Sequence, residues 1–170
     1  MLDPYLKALD LCYFEVTEAF KGLADEHVWK RPDGGLLSVG ELAGHVAYWE
    51  AVRFAGDGTS GCARDLSNCK ISSPLLDPRF AYYTSTVAAA PSEAHLAMTG
   101  EQVLAELLRV HREAMEHLKA LNPDLESPPP HWSPKSNYGE LLRYVAFHAA
   151  YHTGQMYSVR HLLGEETPDN

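Results

Sequence analysis

His148 and His152 stand four residues apart in a segment with helical periodicity. On a helix that spacing puts two imidazoles one turn apart on one face, with Cβ atoms about 5–6 Å apart. Both rings can then reach one ion at metal–nitrogen distances of about 2.0–2.1 Å. The face they share matters more than the spacing. At about 100° per residue, they project with Leu141, Val145, Gln155, Met156, Val159 and Leu163, while Arg143 and Arg160 are expected to project away. Two polar rings in an apolar stripe cost about 1–3 kcal/mol each if they lack partners, and one shared metal would satisfy both. His45 repeats the pattern beside Leu42, Tyr48, Trp49 and Val52. Three neutral imidazoles from two helices leave coordination positions open, as in catalytic sites and unlike closed structural ones. The plain alternative is that each ring bonds a carbonyl or hydroxyl in an ordinary core.

Other residues could support such a site. His111, on a face with Leu107, Met115 and Leu118, reads as a fourth ligand or a core residue, whereas His27, His95, His131 and His161 read as surface residues. Glu41 lies one turn before His45 and could act as general base or hold a ligand imidazole; its alternative role is in a capping box. Gln155 could orient a ligand or substrate, or be satisfied inside the core. Tyr48 and Trp49 would line the pocket, though large aromatics near a bundle core also serve as packing.

Four helices must position these groups. The first is expected from about Pro4 to Leu23, with Tyr5, Leu9, Cys12, Val16, Ala19 and Leu23 on one face. The second should open at Ser38, where Ser38-Val39-Gly40-Glu41 has the S-x-x-E form of a capping box, and end near Ala55, before Gly56, Gly58 and Gly61. The third should start at Thr99-Gly100-Glu101-Gln102 and run to about Leu121, where Asn122-Pro123 stops it. The fourth should run from Asn137 to Leu163-Gly164, followed by EETPDN as a frayed tail. Between the second and third lies an irregular insertion, about residues 56–99, with short helical pieces around Pro78–Val87. A connection this long covers a site, makes an interface or is disordered. No segment alternates as a strand would. The expected fold is all-α, a single-domain four-helix bundle over residues 1–170.

Composition limits the function classes. The 170 residues carry a net charge of −9, which disfavours nucleic acid and anionic lipid surfaces. A small molecule or a second copy of the chain is the better partner. No run approaches the roughly 18 apolar residues of a membrane span, and MLDPYLKALDLCYFEV does not read as a signal peptide. A cytoplasmic location is expected. Cys12 reads as a small core residue, and Cys62 and Cys69 as ordinary free thiols.

The runs RPDGGLLSVGELAGHVAYWE and SNYGELLRYVAFHAAYHTGQMYSVRHLLG resemble the two most telling parts of the DinB-like (YfiT-like) superfamily of metal-dependent enzymes. One is a capped helix bearing a histidine before an aromatic segment; the other is an H-x-x-x-H-x-G-Q helix ending in Leu-Gly. The resemblance covers most of the chain. It implies an up-down-down-up bundle, often dimeric, and a divalent transition metal, commonly zinc or nickel, held by three histidines that map to His45, His148 and His152. The insertion over 56–99 is longer than the family's usual connection. Two activities follow from such a site. Hydrolysis would use a metal-activated water; transfer would use a low-molecular-weight thiol, since coordination deprotonates thiols. The alternative is a non-catalytic, metal-stabilised dimeric bundle or ligand-binding scaffold.

Overall fold

Side-chain caps decide where three of the four long helices begin. In the computed structural model, which describes residues 2–56, 61–84, 86–133 and 135–168, the helices are α1 (Asp3–Phe20), α2 (Val39–Phe54), the short α3 (Glu93–Leu96), α4 (Gly100–Leu121) and α5 (Tyr138–Leu162). Ser38, Thr99 and Asn137 open α2, α4 and α5, each in a reciprocal box with Glu41, Gln102 or Glu140. Each box satisfies first-turn amides that have no partner within the helix. α1 has no side-chain cap and carries Pro4 in its first turn, where a missing N–H costs nothing. It stops at Phe20, short of the expected Leu23, because Lys21 is extended and Gly22 turns the chain at φ 72°. Among the described residues there is no strand. Gly58, read as a helix breaker, lies outside them.

α1 packs against α4 and α5, and α2 against the same two helices. Contacts along the pairs set their directions. Arg143 reaches Tyr5 near the starts of α5 and α1, and Arg160 donates to the Ala19 carbonyl near their ends, so these two run parallel. Glu50 meets His111, and Phe54 and His117 line one hollow, so α2 and α4 run parallel. Arg53, near the end of α2, lies over Trp132, just before α5, so that pair is antiparallel. Tyr13 stacks on His111, and Phe20 shares a hollow with Leu104, so α1 opposes α4. The order is up, down, down, up.

One continuous core fills the bundle, with Leu9 and Val16 from α1, Leu107 and Leu118 from α4, and Leu141 and Met156 from α5 all inaccessible to solvent. α2 is buried on nearly every face; only Trp49 and Arg53 are partly exposed. The insertion causes this, because its 3-10 turn Pro78–Ala81 packs on α2. Gly44 makes that approach possible, and Gly40, four residues earlier, admits Trp29 in the same way. A Cβ on Gly40 would stand 2.7 Å from the Trp29 ring, and one on Gly44 would stand 2.5 Å from Phe80.

Three surface expectations are corrected. Arg160 does not project outward but is 1% exposed. It donates to the carbonyls of Ala19, Lys21 and Glu166 and to the Glu165 carboxylate. The parallel α1–α5 pairing brings it to the orphan carbonyls at the end of α1, so all its bonding is satisfied indoors. The tail is correspondingly pinned: Glu165 also binds the Ala24 amide and His27, and Thr167 is buried. Asp169 and Asn170 of that tail lie outside the described residues. His95 is buried as well, bonded to Ser92 and to the Pro74 carbonyl at 2.8 Å; its four-residue helix is too short to show periodicity. Cys12, Cys62 and Cys69 form no disulfide among the described residues.

Candidate metal centre

α2 and α5 bring His45, His148 and His152 together, with one ring nitrogen from each lying within 4.8 Å of the others. The Nε2 atoms of His45 and His148 are 3.1 Å apart. Two nitrogens bound to one ion at about 2.05 Å, at tetrahedral or octahedral angles, would be separated by about 2.9–3.4 Å. The spacing of that pair therefore fits a shared ion.

The outer nitrogens of two rings are already engaged. His45 Nδ1 lies 2.8 Å from the Phe80 carbonyl. A carbonyl only accepts, so His45 carries its proton on Nδ1 and turns the Nε2 lone pair toward the other rings. His152 Nδ1 lies 2.6 Å from Gln155 Oε1, which fixes that ring in the same sense. Such outer partners orient metal-ligating histidines and raise their basicity. Burial, reinforced by neighbouring His152, pushes His45 down to about 4. Burial with both neighbouring histidines pushes His148 to about 3, and burial lowers His152 against the opposing bond from Gln155. All three are neutral at neutral pH, the state a metal ligand requires.

The group opens into a cavity of about 530 Å³ with aromatic walls. Tyr83 from the insertion stands 5.8 Å from both His45 and His152, ring centre to ring centre, and Tyr144 stacks on His148 at 5.9 Å. Trp49 lines the cavity as expected, its indole N–H donating to the Ala81 carbonyl at 3.0 Å. Tyr48 is not among the lining residues; it packs with Val52 and Phe80 in a separate small cluster. Glu41 is not brought to the site either. Its carboxylate binds the Ser38 amide and hydroxyl and pairs with Arg31 at 2.5 Å, so its geometry is that of the capping box. His111 is held elsewhere, with Nδ1 2.7 Å from Glu50 Oε1 and its ring stacked on Tyr13.

Sequence reasoning passed over Glu50, Arg53, Tyr83 and the Phe80 carbonyl. Glu50 is 2% exposed, and its second oxygen accepts from the Tyr13 hydroxyl. A carboxylate on a helix that is apolar nearly all round was a readable signal. A backbone carbonyl from an irregular loop leaves none.

An all-helical bundle with three core histidines converging from two helices is the class of protein the fold and site define. A family model for the DinB superfamily matches residues 8–156, and the chain belongs to that superfamily. No curated protein and no solved structure matches it.

The Gly44 contact gives a first prediction. Gly44→Ala puts a methyl into the Phe80 ring, and overpacking of this kind costs about 1–3 kcal/mol. Moving Phe80 also moves the carbonyl that holds His45. Metal affinity is expected to fall about 10–100-fold, measured by chelator competition. Unchanged affinity in a folded variant would show that the Phe80 bond does not orient His45.

Proposed function

We propose that this chain is a metal-dependent enzyme, a hydrolase or a small-thiol-dependent transferase, using one divalent transition metal held by His45, His148 and His152. The observation that carries the reading is the trio of neutral imidazoles, two buried and one half-buried, two of them with their outer nitrogens already bonded. An ordinary core histidine needs one partner; it does not need two others aimed at the same point. Zinc and nickel both suit imidazole donors. When bound with an open position, such an ion lowers the pKa of a coordinated water toward about 7 or holds a thiol as thiolate.

The chain's own residues would supply the rest. The Phe80 carbonyl and Gln155 hold two ligand rings in place. Trp49, Tyr83 and Tyr144 give the cavity apolar walls that exclude water and take the body of a small-molecule substrate. The net charge of −9 argues against nucleic acid. No helix among the described residues is long and apolar enough to cross a membrane.

Protein purified without an affinity tag should hold about one equivalent of zinc or nickel by elemental analysis. Chelation should abolish turnover in a panel pairing thiol conjugation with ester and amide hydrolysis, and either ion should restore it. The reaction that returns assigns the class. A chain that neither retains nor takes up either ion, or turnover that survives metal removal, would sink the proposal.

A further inference from the structure

The geometry points to Arg53 as the anchor for a substrate carboxylate, making the substrate a small organic acid with a flat apolar body. Arg53 lies two turns beyond His45 on α2 and lines the same cavity as the three histidines. Its guanidinium rests against two indoles, with the central carbon 4.9 Å from the Trp49 ring centre and 4.6 Å from that of Trp132. One amino group donates to the His131 carbonyl at 3.3 Å, and the side chain also hydrogen-bonds Cys62. Two indole contacts restrain the guanidinium at the cavity wall, and its donors beyond those already bonded suit a carboxylate.

The charges around the cavity leave this role to Arg53. Among the described residues, the only other one of fixed charge type lining it is Glu50, whose two oxygens are taken by Tyr13 and His111. None of the ion pairs among the described residues includes Arg53. The remaining walls are rings such as Trp132, Tyr144, Phe147 and Tyr151, which favour a planar or unsaturated body. The molecule as a whole is acidic, so an anion is drawn to this cavity by local positive charge and not by the general surface. The inference deepens the metal-enzyme reading and rests on it only for what happens at the other end of the ligand.

Titration calorimetry with benzoate and its neutral isostere benzamide tests this, on metal-free and zinc-loaded protein. Benzoate should bind about tenfold or more tightly than benzamide in both forms. Arg53→Gln should weaken benzoate about ten- to hundredfold, the range for a charge-assisted pair, and leave benzamide unchanged. Equal binding of the two probes to the unaltered protein overturns the inference without any variant. So does a benzoate preference that appears only with zinc and persists in Arg53→Gln, which would put the carboxylate on the ion. Failure of zinc uptake with the benzoate preference intact would remove the metal reading and leave the anchor standing.

Discussion

His148→Ala is expected to keep the fold and lose the thermal stabilisation expected of zinc or nickel in the unaltered protein. An ion that binds only the folded chain stabilises it by about 4 kcal/mol at a free concentration a thousand times its dissociation constant. For a chain of this size that is on the order of 10 °C in melting temperature. With two imidazoles left, His45 and His152, affinity drops and the shift should nearly vanish. The metal-free variant should unfold close to the metal-free parent, because His148 is only partly buried and its ring has no outer partner among the described residues. The acid limb of metal-free stability should change too. His45 and His148 are held at about 4 and about 3, below the value of about 6.5 for an unfolded histidine. Between these values the unfolded chain binds protons that the folded chain refuses. The stability is therefore fully present above about pH 6.5 and is lost as pH falls toward about 4. His148→Ala removes one such group, so urea unfolding across that window should show a shallower decline. An identical slope would mean that His148 is not a base held neutral by its surroundings, and an undiminished metal-induced shift would mean that it is not a ligand.

What could be read from the sequence followed from periodicity and from local capping chemistry. Ser38, Thr99 and Asn137 announced three helix starts because a short polar side chain followed three residues later by Glu or Gln closes a reciprocal pair. His45, His148 and His152 were legible because a helix fixes direction: a residue on the apolar stripe points inward wherever the helix lies. Arg160 shows the limit of the same rule. It sits at the end of α5, where the neighbour is the end of α1 and its unpaired carbonyls, so a cation belongs inside. Only the helix pairing reveals that. The insertion was opaque for a different reason. Its contribution to the site is made by the carbonyls of Phe80 and Ala81 and the ring of Tyr83, and backbone groups carry no side-chain signature. Gly44, which admits Phe80, was part of the quoted motif, yet its meaning depends on a ring thirty-six residues later in the chain.

Glu50→Leu is expected to be among the most destabilising single substitutions in this chain. Its carboxylate ties three helices: it accepts from Tyr13 on α1 and meets His111 on α4, while standing on α2 just over one turn from His45. Tyr13 and His111 are 4% and 8% exposed, so neither recovers a water when Glu50 is removed. Each buried group left without a partner costs about 1–3 kcal/mol, giving a loss of about 2–5 kcal/mol by urea unfolding, with part offset by the carboxylate's own desolvation. The cost belongs to the orphaned partners and not to the acid itself. The triple variant Tyr13→Phe, His111→Leu, Glu50→Leu should therefore regain most of the loss, since an apolar set of similar volume needs no partners. Glu50→Gln should fall between, because Tyr13 and His111 use different carboxylate oxygens and the amide puts an NH2 in place of one of them. Additive effects across this cycle would refute the network, since coupled neighbours depart from additivity by about 0.5–3 kcal/mol. Metal affinity reports separately on position. If Glu50 sets the axial register of α2 against α1 and α4, Glu50→Leu displaces His45 from His148 and weakens zinc binding, while the triple variant, stable but without polar register, stays weak. Recovery of both stability and zinc affinity in the triple variant would show that packing alone places His45.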